Sequence, residues 1–297
     1  MIARPKRYAH TPTSGGASER IVSSTSTRKR GAAAPLFHYS VMITTILKQL
    51  AGPAAENRAV SHFVAVTNDV EQRAIPTGDL PQFADRLGDA TAVPVGSVEF
   101  VRAAMQVAGI AEPSNLSYPS SLRPFLRRPV TLVKVADLSF PAFVKPTVTK
   151  LFTGVVARNV SDLPDHVPLT LEVWESPIVS FTAEYRVYVN RGHIIGIGRY
   201  DDLDTTASPS LDEVHAMIAA FDSAPIAYSI DVGIDADGRT TLVEVNDAWA
   251  LGLYANAMHP VTYVNMLISR WRELCNQTPI NRSEEHTSEL QSHSGIS

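Results

Sequence analysis

The stretch LVEVND (242–247), together with IAYSIDVGI (226–234) before it, decides how this chain is read. Successive side chains of a strand point to opposite faces, so Glu244 and Asn246 share one face while Val243 and Val245 share the other. The intervening DADG (235–238) has turn chemistry, which makes the two apolar runs a hairpin. With Ile234 opposite Arg239, Asp231 falls opposite Leu242, on the face of Glu244 and Asn246. Two carboxylates and an amide then gather as a hard oxygen set suited to Mg²⁺ carrying nucleotide phosphates. A hairpin with a solvated polar face alternates in the same way, and the pattern alone leaves both readings open. A calcium loop of the EF-hand type is excluded, because counting from Asp235 puts Thr240 where that loop needs glycine and Asn246 where it needs glutamate.

Working outward, the composition is that of a globular protein, 44% hydrophobic and 19% charged, with no apolar run long enough for a membrane span. Residues 1–35 carry seven basic side chains against the single acid Glu19 and are rich in Ser, Thr, Gly and Pro. They read as a disordered or mis-called extension, with Met42 as an alternative start, or as a basic arm or transit peptide. RSEEHTSELQS (282–292) resembles the in-frame translation of a short-read sequencing adapter, and residues 282–297 are expected to be an artefact. That last segment carries one base and three acids, so the body between the two ends is at −8 within a total of −4. So acidic a body argues against a nucleic-acid surface and requires any phosphate site to concentrate its positive charge locally. The one cysteine, Cys275, can form no internal disulfide, which points to a reducing, cytoplasmic setting.

Residues 36–129 read as a small α/β region, with HFVAVTN (62–68) as a strand. PVGSVEFVRAAMQVAG (94–109) reads as a helix capped by Ser97 and stopped by Gly109. AEPSNLSYPSSLRPFLRRP (111–129) has the Pro and Ser content of a linker with one helical turn. From Val130 the texture changes to short β-branched and aromatic runs: TLVKVAD, PAFVKP, LTLEVW, EYRVYV and HIIGIGRY. SPSLDEVHAMIAAF (208–221) supplies a helix opened by a Ser210/Glu213 capping box, and an amphipathic helix over 259–274 closes a second region, 130–281. The class is α+β with a largely antiparallel sheet.

Two cationic groups stand out in that second region. Lys145 leaves a strand into a loop holding Lys150, and Gly154 lets the backbone come close; two ammonium groups at this spacing reach a polyphosphate, or are simply solvated. In the hairpin closed by NRGH (190–193), Val189 opposite Ile194 puts Glu184 opposite Arg199, with Arg186 on the same face. Two guanidinium groups held by a carboxylate make an anion fork, or else a surface ion pair. The GIG at 196–198 lies inside a strand without a third glycine and is no dinucleotide fingerprint.

In order and separation, PVGSVEF, FVKPTVTKLFTG, EYRVYV, GRY, LVEVND and RWREL resemble the ATP-grasp superfamily from about Pro94 to Leu274, and within it a clade named for two arginines and a lysine. The resemblance implies an ATP-grasp fold, two α+β subdomains clamping a nucleotide after the small α/β region. It implies that Lys145 and Lys150, with Gly154 near the loop tip, contact ATP phosphates. It implies that the backbone of 173–178 faces adenine, with Trp174 in this hinge and Glu172 and Glu175 competing for the adenine amino group. Asp231, Glu244 and Asn246 would hold Mg²⁺, with Asp247 as a further ligand or partner. Arg186 and Arg199 would face the γ-phosphate and the acyl-phosphate, Glu184 steadying them.

No Ser/His/Asp or Cys/His set presents itself as a nucleophile, and His193 and His215 have no visible partner. The expected activity is that of an ATP- and Mg²⁺-dependent ligase, activating a small-molecule or peptide carboxylate as acyl-phosphate for attack by an amine. A small-molecule kinase or a weakly catalytic nucleotide-binding module uses the same residues.

Overall fold

Residues 42–110 of the computed structural model, which describes residues 42–277, build a three-stranded parallel sheet in the order β2-β1-β3. Its elements run β1 (Thr45–Gln49), α1 (Ala54–Val66), β2 (Glu71–Ile75), α2 (Ala84–Gly88), β3 (Ala92–Val95) and α3 (Val98–Val107). The expectations for residues 1–35 and 282–297 lie outside the described residues. Ser97 caps α3 by accepting from the Phe100 amide at 3.3 Å, and Gly109 follows it at φ 68°, as the sequence predicts.

HFVAVTN is not a strand. Most of it belongs to α1, whose Ala59, Val60 and Phe63 are buried on one face, a helical spacing. The β-branched valines suggest a strand, but packing of that face in the core with α5 (Pro260–Gln277) outweighs their propensity. The strand at this end of the region is instead TILKQ, β1.

Two antiparallel sheets follow. The second has the order β4-β7-β5-β6, from β4 (Thr131–Lys134), β5 (Ala142–Pro146), β6 (Val155–Ala157) and β7 (Glu172–Ser176). The third has the order β11-β10-β8-β9, from β8 (Ala183–Asn190), β9 (His193–Arg199), β10 (Ala227–Ile234) and β11 (Thr240–Asp247). Helix α4 (Leu211–Ala220) covers the third sheet through Val214 and Met217. Ser210 caps it, accepting from Glu213 N at 3.4 Å, but the capping box is half made: Glu213 turns its carboxylate to Thr240 N, 2.8 Å away, and to Arg127. No helix among the described residues is long and apolar enough to cross a membrane.

Both hairpins of the third sheet carry a β-bulge, and the two have opposite consequences. In β10–β11 the turn is longer than expected, so Ile234 pairs with Thr240 rather than Arg239. Val243 is then an extra residue between the Val232–Leu242 and Asp231–Glu244 pairs. The two irregularities cancel: Asp231 lies opposite Glu244 rather than Leu242, and still shares a face with Glu244 and Asn246. In β8–β9, Val189 does pair with Ile194, but Ile195 bulges and Arg199 arrives opposite Tyr185 instead of Glu184. One residue of slip moves a side chain to the other face, so Arg199 and Arg186 lie on opposite sides of the sheet.

Candidate functional site

Between the second and third sheets, Lys145 of β5 reaches across to the Glu244 carboxylate of β11. Glu244 sits among the other oxygen donors: Asn246 Nδ2 lies 2.9 Å from Glu244 Oε1 and 3.2 Å from Asp231 Oδ2. On the neighbouring strand Arg186 grips Asp231 with two bonds, Nε to Oδ1 at 2.8 Å and Nη2 to Oδ2 at 2.7 Å. The side chains of this last pair are only 11% and 4% exposed, so the pair is nearly out of water. Thus Lys145, Arg186, Asp231, Glu244 and Asn246 meet in one place.

The electrostatics set the two acids apart. Burial pushes the Asp231 carboxyl above its ordinary range, more than Arg186 pulls it back. Burial acts on Glu244 in the same sense, but there the Lys145 ammonium prevails and holds the carboxyl below its usual range. For Arg186 burial opposes the charge, yet the Asp231 carboxylate more than restores it.

An aromatic wall completes this side. Arg186 Cζ lies 5.0 Å from the centroid of Tyr254, which stacks on Tyr200 at 5.2 Å. Tyr200 Oη donates to Glu184 Oε2 at 3.0 Å, so Glu184 steadies a tyrosine rather than an arginine. Burial raises both Glu184 and the Tyr200 hydroxyl above their ordinary values. Gly196 and Gly198 seat the loop that carries Tyr254. A Cβ on Gly198 would come 3.0 Å from Tyr254 Cβ and 2.8 Å from Ala257 Cβ, and one on Gly196 would come 2.6 Å from Ala257 O. The GIG motif therefore serves close packing of chain on chain.

Lys150, at φ 62°, lines with Arg186 and Asn246 a pocket of about 90 Å³. An open cleft of about 560 Å³ adjoins it, lined by the loop 147–151, Arg102 and Asn115. The loop is tied to the small α/β region: Arg102 Nη2 donates to Thr149 O at 3.3 Å and Asn115 Nδ2 to Thr147 O at 3.1 Å. Gly154 does not face this cleft as a phosphate-approach position. A Cβ there would lie 2.6 Å from Phe143 Cζ, so its missing side chain makes room for that ring.

In the expected hinge, Trp174 pairs with Lys145 across β5–β7 and shares its face, edge-on to Tyr118 at 5.3 Å. Glu172 lies two residues away on that face, exposed. Glu175 belongs to the other face and accepts from Ser139 N at 2.6 Å, which takes it out of the competition.

Two further expectations are corrected. Arg199 does not join Arg186. Its guanidinium donates to Asp201 at 2.9 and 2.7 Å and to the carbonyl oxygens of Leu203 and Thr205, over the Tyr185 ring. Asp247 is not in the donor network either: it alternates to the face of β11 opposite Glu244 and Asn246, where Arg270 donates to both its oxygens at 2.7 and 2.6 Å and Trp249 N donates to its Oδ1 at 3.1 Å. Sequence reasoning missed Tyr118, Arg128 and Tyr254 and gave Arg270 no role; the first two lie in the Pro- and Ser-rich segment read as a linker, Tyr254 carries no motif, and Arg270 opens the RWREL stretch, whose contact with Asp247 is not visible in sequence.

The donor set suits Mg²⁺ in kind, two carboxylates and an amide whose Oδ1 would face the carboxylates if the group were turned over. Among the described residues no group of three His, Cys, Asp or Glu side chains is placed to hold a metal, so any ion here would depend on Asn246.

Comparison with the curated proteins gave no match. Two solved structures of D-alanine–D-alanine ligase from Bacillus anthracis are similar in fold. The one complexed with ATP is 16% identical, with a TM-score of 0.50 over 79% of this chain and 98% of that one. The other is 14% identical, with a TM-score of 0.52 over 78% and 99%. Residues 125–266 match the sequence profile of an ATP-grasp domain, the second family of the clade named for two arginines and a lysine. With its two antiparallel sheets meeting across Lys145 and Glu244, the chain has the ATP-grasp fold, and its residues 125–266 carry the match to the ATP-grasp domain of that clade.

Proposed function

We propose that this protein is an ATP- and Mg²⁺-dependent ligase of the cytoplasm, which activates a small-molecule or peptide carboxylate as acyl-phosphate for capture by an amine. One observation carries the reading: Lys145 from one sheet and Glu244 from the other end on each other, with Arg186, Asp231 and Asn246 within the same network. Phosphoryl transfer asks a protein chiefly for position and for countercharge where charge builds up. Lys145 would leave Glu244 for a phosphate oxygen, and Lys150 would reach the same polyphosphate from its loop. Arg186, aligned by Asp231 and backed by Tyr254, would face the transferred phosphoryl group; Glu184 would act only by holding Tyr200. Asp231, Glu244 and Asn246 would hold Mg²⁺, which would supply positive charge to offset that of the phosphates. Trp174, on the Lys145 face of the second sheet, would flank the nucleotide base, with Glu172 on that face and Glu175 on the other.

The test is ADP release with a panel of carboxylates and amines. Release should require both acceptors, give a hydroxamate when hydroxylamine replaces the amine, and collapse in Glu244→Ala and Lys145→Ala. Full turnover in both variants refutes the assignment, and a stable phosphorylated product makes the protein a kinase.

A further inference from the structure

We propose that Arg128 is a positioning residue for the oxygen donors of the candidate nucleotide site, holding the β11 bulge in the form that presents Glu244 and Asn246. The inference rests on the nucleotide site proposed above.

Strand β11 is the edge of its sheet, so one side of its backbone has no strand partner. Val243 is the extra residue there, immediately before Glu244. In a regular strand consecutive carbonyls point to opposite edges, and one group on one edge reaches only alternate residues. At this bulge Leu242 O and Val243 O both turn to the outer side, and Arg128 takes both: Nη1 to Leu242 O at 2.8 Å and Nη2 to Val243 O at 3.2 Å. Nη1 also donates to Leu126 O at 3.1 Å, which ties the guanidinium back to its own segment. A planar fork with fixed N–H directions matches two adjacent carbonyls, which a single ammonium does less well.

The same segment grips β11 on the far side of Glu244. Val245 N donates to Ser117 O at 2.9 Å, so Glu244 is bracketed by Arg128 at 242–243 and by Ser117 at 245. The next residue, Tyr118, places its ring 5.3 Å from Lys145 Nζ. One stretch, 117–128, thereby fixes the backbone under Glu244 and the surroundings of its partner Lys145. Arg128 touches neither nucleotide nor metal in this account; it acts through the backbone of β11. Without it the two carbonyls lose their partners and the bulge is free to migrate, which turns Glu244 relative to Asp231.

The experiment uses the full chain and a non-hydrolysable ATP analogue, with binding measured by calorimetry across a Mg²⁺ titration for wild type, Arg128→Met and Arg128→Lys. Loss of a group that orients metal ligands typically weakens metal binding about 10–100-fold. Arg128→Met should raise the Mg²⁺ midpoint about tenfold or more with circular dichroism unchanged, and Arg128→Lys should raise it less. A purely structural arginine would lower the melting temperature and leave the midpoint of the folded protein where it is; wild-type midpoints in both variants overturn the proposal. If Arg128→Met does not fold, Arg128→Lys decides alone, and a wild-type midpoint there overturns it. Absence of Mg²⁺-dependent binding by wild type itself overturns the nucleotide site, and the inference with it, and is separable from failure in the variants alone.

Discussion

Arg186 and Asp231 face each other on adjacent strands, cross-strand partners joined by two bonds of 2.8 and 2.7 Å. Each satisfies the other in a place almost without water, so removing one leaves a buried charge alone. Asp231→Ala should therefore lower the free energy of unfolding by about 3–5 kcal/mol. Replacing both at once, Arg186→Met with Asp231→Leu, should restore much of that loss while abolishing nucleotide turnover. Urea denaturation of the three proteins measures this; a single variant as stable as wild type would show that the pair is not buried as described.

Arg199, turned away by the Ile195 bulge, should be dispensable to the nucleotide site. Arg199→Ala should change nucleotide affinity less than about threefold, within about 1 kcal/mol. Its partner Asp201 gives the pair a pH signature. Burial would raise this carboxyl, but the Arg199 guanidinium and the amides of Glu184 and Leu203 bring it down to about 2. The unfolded value is about 4, so the stabilisation is complete above about pH 4 and is lost as pH falls toward about 2. Asp201→Asn should flatten the acid limb of stability in that window, as read by urea midpoints from about pH 2 to 5.

Asp247 tests whether the acid next to the donor set belongs to it. Held by Arg270, whose side chain is 4% exposed, it ties the end of β11 to α5. Asp247→Ala should cost about 3–5 kcal/mol of stability, as for other broken buried pairs. The Mg²⁺ midpoint of the folded variant should stay at the wild-type value. A shifted midpoint would return Asp247 to the ligand set.

The glycines of β9 make a steric prediction. Gly198→Ala would press on Tyr254 and Ala257, and overpacking of this sort costs about 1–3 kcal/mol. Because Tyr254 backs Arg186, turnover should fall along with the melting temperature. Adding Ala257→Gly should recover part of both, since it opens one side of the contact.

Much of the site was legible because its chemistry follows strand alternation: Glu244 and Asn246 two apart, Lys145 before a proline-bounded exit, Arg186 in an aromatic run. What failed was register. A bulge of one residue leaves no mark in composition, and it reversed Arg199 while a second, combined with a longer turn, left Asp231 on the expected face. HFVAVTN misled because its apolar and β-branched residues suit a strand, whereas helical spacing and contact with a helix distant in sequence decide the matter. Residues 111–129 had the composition of a connection, and nothing local announces that Ser117 and Arg128 serve a strand beyond position 240.

In the proposed site Lys145 of the second sheet and the oxygen donors of the third act on one Mg²⁺-nucleotide. Calorimetric titration of the ATP analogue with saturating Mg²⁺ into wild type, Lys145→Ala and Glu244→Ala tests it most directly. Affinity should drop at least about a hundredfold in each variant, about 2.7 kcal/mol, with the folded state intact by circular dichroism. Wild-type affinity in both folded variants would contradict it.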